Sequence, residues 1–276
     1  MDGSALIAIA GREARAGLRS RWFFLYGFVF LALCVAFSTV AVGGTDLTGQ
    51  SGFGRTAAGL LNLMLLMTPL IGLTIGAQSL VADRQDGVLD YILAQPVSPA
   101  EVFVGKYLGA ALSLLLLLAG GFGSAAIVLA LRGTTGSLSG FVLLVALTML
   151  LGLGMLSVGY LISSWASHSA AALGVAVTLW LGFVVLGDLG LMGSALVMRL
   201  DPVALLAGAL LNPLDVYKLA GVQLLQASLD VLGPAGTYAI HRFGAALPAA
   251  LLGVLAIWVV APLPVGYWLM TRTDYR

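Results

Sequence analysis

Apolar residues run along this chain in long unbroken blocks. Six blocks, at roughly 23–43, 58–81, 107–131, 140–164, 170–190 and 248–270, reach the ~20 residues a helix needs to cross a hydrocarbon core. None shows the strict apolar–polar alternation of a membrane-barrel strand. The pattern therefore predicts an all-α integral membrane protein, one transmembrane domain over 1–276 with six spans.

Between the second and third blocks lies a polar island, 83–106, reading "DRQDGVLDYILAQPVSPAEVFVGK". From Asp86 to Ala94 the spacing predicts a short helix, with Gly87 and Asp90 in it and Val88, Leu89, Ile92 and Leu93 on adjoining faces. Asp86 falls near its positive N-terminal end, and Gln95-Pro96 stops it, since the residue before proline avoids helical geometry. Ser98, Pro99 and Glu101 then form a capping box. The helix it starts runs through Lys106 into the third span. A stiff amphipathic turn joined by a proline elbow suits docking into a groove on a soluble partner. On that reading the apolar face around Leu89 is buried in the partner. The plainer alternative is an elaborate interhelical loop.

Two other segments break the rhythm. Residues 4–21, "SALIAIAGREARAGLRSR", wrap as an amphipathic helix with Arg12, Arg15 and Arg19 on one face and Leu6, Ile7, Ala10, Ala14 and Leu18 opposite. Such a helix lies in the lipid interface or serves as a topology signal. The long segment 191–247 carries Asp201-Pro202 and Asn212-Pro213, each an N-cap before a proline at the first helical position, with Gly233-Pro234 as a stop. Two short helices, re-entrant or surface-lying, fit it better than a seventh span.

Charge sets the orientation. With both termini cytoplasmic, the inner segments hold Arg12, Arg15, Arg19, Arg21, Arg84, Lys106, Arg272 and Arg276, against Arg55, Arg132, Arg199, Lys218 and Arg242 outside. That predicts both termini inside and 191–247 outside. The arginine-led first block has no small-residue cleavage site after it and is expected to stay in the protein.

Composition agrees, at 60% hydrophobic and 9% charged, where a soluble domain carries about 25% charged residues. A net charge of +1 gives no reason to expect a nucleic-acid partner. The lone Cys34 can form no disulfide within the chain. By these boundaries no Asp, Glu, Lys or Arg falls inside a span; Asp188 and His168 sit at span ends. Ion-coupled carriers need such groups, so that rival, like a passive channel, ranks below. No His-Glu-x-x-His and no Walker A loop are present, and "GFGS" at 121–124 is no nucleophile motif, so neither a catalytic nor a cofactor-binding residue is expected. Met64, Met67, Met192, Met198 and His241 raise copper binding, but gap-filling methionine explains them better, and no metal site is expected. Clustered glycines in the third and fourth spans, among them Gly121, Gly152, Gly154 and Gly159, read as close helix packing.

The island resembles the cytoplasmic loop of ABC-2 type permeases through Gly87, Leu89, Asp90, Leu93, Pro96, Val97, Ser98, Glu101, Gly105 and Lys106. Val88 and Pro99 depart from the usual pattern. The resemblance implies a type V ABC exporter-like fold: an amphipathic start, six spans, a re-entrant segment before the sixth, and a homodimer. It also implies that Asp86, Gly87, Leu89, Asp90, Ile92, Leu93, Pro96, Ser98 and Glu101 form a coupling helix on a cytoplasmic ATPase, which itself holds ATP and magnesium. At finer grain the chain is similar to the membrane subunits that mature nitrous oxide reductase, partly through "LNPLDVYKLAG". That likeness implies a periplasmic accessory partner and a cargo, or a shape change, serving a copper centre. An ABC-2 exporter of unrelated cargo is the alternative.

Overall fold

A computed structural model of the protein describes residues 3–43, 49–131, 138–193, 202–224 and 242–273. The described elements are helices: α1 Gly3–Arg19, α2 Arg21–Gly43, α3 Gly49–Gln85, α4 Val88–Leu93, α5 Pro99–Leu131, α6 Leu138–Trp165, α7 Ser169–Gly193, α8 Pro202–Leu210, α9 Pro213–Leu224, α10 Leu247–Val260 and α11 Pro262–Thr273, with a single 3-10 turn at Gly244–Ala246. Five stretches are long and apolar enough to cross a membrane: Gly59–Gln85, Pro99–Leu131, Ser139–Trp165, Ser169–Gly187 and Leu247–Arg272. Helix α1 and the first part of α2 make a sixth candidate when taken together across a bend of 65°.

Glycine decides the centre of the bundle. A Cβ at Gly76 of α3 would overlap the Leu156 carbonyl of α6, and one at Gly159 would overlap the Leu73 carbonyl. At Gly72 it would stand 2.8 Å from the Gly152 oxygen. Backbones thus touch where lipid gives no hydrophobic drive and close packing must hold helices together. Gly121 instead admits the Phe30 ring of α2, whereas Gly120 and Gly123 face open space. Around this seam Leu73, Leu80, Leu114, Leu118, Leu151 and Tyr160 are buried, while Phe24, Phe28, Ile127 and Leu186 are exposed. A bundle apolar inside and out is built for lipid.

Pro202 and Pro213 open α8 and α9, as their sequence contexts predict. Asn212 Oδ1 accepts from the Leu214 N–H at 3.0 Å and its Nδ2 donates to the Phe183 carbonyl at 2.9 Å. Helix α9 packs against α10, α6, α3 and α7, and buried Tyr217 shares a 2.8 Å hydrogen bond with Thr148 Oγ1. Asp201, Met198, His241 and the Gly233-Pro234 stop lie outside the described residues.

One expectation changes. The short helix starts at Val88 rather than Asp86, because Gly87 adopts φ +69° and turns the chain out of α3. Helix α1 lays one side on α5: a Cβ at Gly105 would meet Ile9 at 3.0 Å, and one at Gly109 would meet Glu13 Cβ and the Ala10 carbonyl.

Candidate docking site

The site is the elbow between α3 and α5. Helix α3 from Gly59 to Gln85 is 27 residues, about 40 Å at 1.5 Å per residue, against a hydrocarbon core of about 30 Å. The helix is longer than that core, and α4 follows directly on its C-terminal end.

Six residues cannot hold a helix by themselves in water. What holds α4 is its apolar face. Leu89 is 0% exposed and Ile92 8%, and they pack on Val102 of α5, with Ile9 of α1 and Val88, Leu93 and Val97 at the rim. Each such burial is worth about 1.5–3 kcal/mol. The apolar face is thus turned into this chain, where the sequence alone pointed it at a partner. The opposite face carries exposed Asp86, Gly87, Asp90, Tyr91, Gln95, Pro96 and Ser98, and the Tyr91 ring is 71% exposed.

The capping box closes the elbow. The Ser98 N–H donates to Glu101 Oε2 at 2.9 Å and the Glu101 N–H donates to Ser98 Oγ at 3.2 Å, satisfying two helix-start donors reciprocally. Glu101 is buried in that role. Of the nine site residues, Leu89, Ile92, Leu93 and Glu101 anchor the element, and the other five face outward.

The root of the elbow is staked to four helices by three consecutive residues to which sequence reasoning gave no structural contact. Arg84 donates to the Ala166 and Ser164 carbonyls at 3.1 and 3.3 Å, at the negative end of α6. Gln85 Oε1 accepts from the Ser169 N–H at 3.1 Å and from its hydroxyl at 2.5 Å, capping α7. Asp83 Oδ2 accepts from Lys106 Nζ of α5 at 2.7 Å, and from Arg12 of α1 at 3.3 Å.

Lys106 completes a node. Its side chain is fully buried, and its ammonium also lies 2.7 Å from Glu13 Oε2 of α1. Ser79 donates to the other Glu13 oxygen at 3.3 Å. With Arg12 the node balances two cations against two carboxylates, the condition for burying charge. Sequence reasoning placed Lys106 at a span edge and gave Glu13 no role. The available signal was Gly105 and Gly109 flanking it, which let a second helix reach the lysine.

This arrangement ties α4 to α1 and α5 through Leu89 and Ile92, and its root to α6 and α7 through Arg84 and Gln85. A family model described as ABC-2 family transporter protein matches residues 7–275. The chain belongs to that family. A protein of Pseudomonas aeruginosa, "Probable ABC transporter permease protein NosY", is 32% identical over 275 residues, covering 96% of this chain and 97% of the relative. The protein of the same name in Stutzerimonas stutzeri is 29% identical over 273 residues, with the same coverage of both chains. Family and apolar helices together make this ABC-2 chain a multi-pass membrane protein.

Proposed function

We propose that the chain is the permease subunit of an ABC transporter and that α4 is its coupling helix. The observation that carries this is α4 itself: an amphipathic turn anchored inward by Leu89 and Ile92, presenting Asp86, Asp90, Tyr91, Gln95 and Pro96 outward from a root tied to α1, α5, α6 and α7. A cytoplasmic ATPase, holding ATP and magnesium, docks there through a groove with basic residues for the two aspartates and an apolar seat for Tyr91. Closure of two such ATPases on a permease homodimer tilts the spans through the elbow.

The family and the permease names of its relatives support this reading. The same names and the sequence likeness favour a role in maturing the copper centre of nitrous oxide reductase. There the permease moves a sulfur- or copper-related cargo, or drives a periplasmic accessory protein above 191–247. The packing of α9 into the bundle favours a re-entrant arrangement of that segment.

Retention of the ATPase on the tagged chain tests the docking face. Tyr91→Ala with Asp90→Arg should weaken retention at least thirtyfold, the loss typical of an interface hot spot worth about 2 kcal/mol. Ser98→Ala, which loses only a cap, should leave the complex assembled. Leu89→Asp should also detach the ATPase, by unseating α4 from its own chain. Normal retention in the Tyr91/Asp90 variant would sink the coupling-helix reading.

A further inference from the structure

At the corner where α1 turns into α2, two clefts meet across one small side chain. Arg12, Arg15 and Arg19 stand round the exposed methyl of Ala16 and enclose an open groove of ≈ 330 Å³. Across Ala16 begins a slot of ≈ 220 Å³ between α1, α2, α3 and α5, walled by Phe23, Tyr26, Ile75, Ala82 and Ala110 among others. Glu13 and Asp83 also border the slot, but their charge is balanced by Lys106 and Arg12. Among the described residues no carboxylate pairs with Arg15 or Arg19; Arg15 Nε donates only to its own helix, at the Gly11 carbonyl, 3.1 Å.

We propose that this corner is a binding site for an anionic phospholipid. Its phosphate sits among the three guanidiniums and one acyl chain lies in the slot. Guanidinium donors match phosphate oxygens in pairs, and basic groups at a bilayer surface attract anionic headgroups. A soluble phosphate would use the groove and leave the apolar slot empty. Helix α2, which walls the slot with Phe23 and Tyr26, exposes Phe24 and Phe28 on its other side, the face of a helix that acyl chains cover. A bound lipid would wedge the 65° corner and fix α1, the helix that carries Ile9 and Glu13 to the elbow. The site does not depend on what docks at α4.

The test titrates a fluorescent phosphatidylglycerol against the full chain in mild detergent, with the phosphatidylcholine analogue and inorganic phosphate as comparisons. Phosphatidylglycerol should bind more tightly than phosphatidylcholine. Arg15→Gln with Arg19→Gln should weaken it about thirtyfold, roughly fivefold for each basic contact compounded. Ala16→Leu keeps every charge but fills the junction, and should abolish the preference for phosphatidylglycerol. Helical content and monodisperse elution establish that the variants fold. Unchanged binding in Ala16→Leu would mean diffuse surface attraction and overturn the site. So would equal affinity for both lipids. Displacement of the lipid by equimolar inorganic phosphate would reassign the groove to a soluble anion. ATPase retention on the same variants, expected to be normal, reports separately on the docking reading.

Discussion

Lys106 shows best what one residue can hold and what a linear reading misses. An ammonium without water must be paired, and two carboxylates at 2.7 Å each meet that need. Lys106→Met keeps the bulk but strands Glu13 and Asp83. Removing one member of a buried ion pair costs about 3–5 kcal/mol, and thermal unfolding in detergent should register a loss of that order. Adding Glu13→Gln and Asp83→Asn to the variant should recover most of it, because the one charge then left without a partner, Arg12, is half-exposed and keeps its water. If Lys106→Met alone unfolds like the wild type, the node bears no load. The partners of Lys106 lie 93 and 23 residues away in sequence, so no local spacing announces the cluster. The capping box was legible because Ser98 and Glu101 stand three residues apart and meet by helical geometry alone.

At the scale of an element, sequence pattern located the helices and left their faces undecided. Runs of Leu and Ala predict spans, and Pro202, Pro213 and Pro99 mark starts that the structure reproduces. Helix α4 was legible as an amphipathic turn, but amphipathicity does not say what covers the apolar side. Here Val102 and Ile9 cover it. Helix α1 is the parallel case: a basic amphipathic stretch reads as interfacial, yet Gly105, Gly109 and Ser113 on α5 give it a protein surface to lie on, with Ser113 Oγ donating to the Ala14 carbonyl at 3.2 Å. Gly87 is the hinge of the elbow, and its φ of +69° costs an L-residue about 1–2 kcal/mol. Gly87→Ala should therefore destabilise α4 by that amount and Gly87→Asn by less, since Asn tolerates the left-handed region. Hydrogen exchange at the Tyr91 and Ala94 amides, which bond back to Gly87 and Asp90, reads the effect directly. Equal protection in all three proteins would exclude a conformational role for the glycine.

For the whole molecule, orientation decides which compartment the elbow faces. A chain with an even number of spans has both ends on one side, and the elbow between the second and third spans shares it. Basic residues then choose the side, eight with the termini and elbow against five opposite. Both helices that bear the elbow, at 27 and 33 residues, are longer than the hydrocarbon core is thick, as α4 needs if it is to meet a soluble ATPase on the proposed reading. A membrane-impermeant maleimide on intact cells tests the arrangement. Gln95→Cys suits the elbow, being exposed and uninvolved in the cap, and Ser228→Cys suits the segment 191–247 that the basic residues predict to lie outside. Native Cys34 is buried and adds little background. Ser228→Cys should react in intact cells and Gln95→Cys only once the membrane is opened. The reverse pattern would turn the protein over. It would leave the bundle, the node and the elbow as they are, but put the docking face on the side that has no ATP.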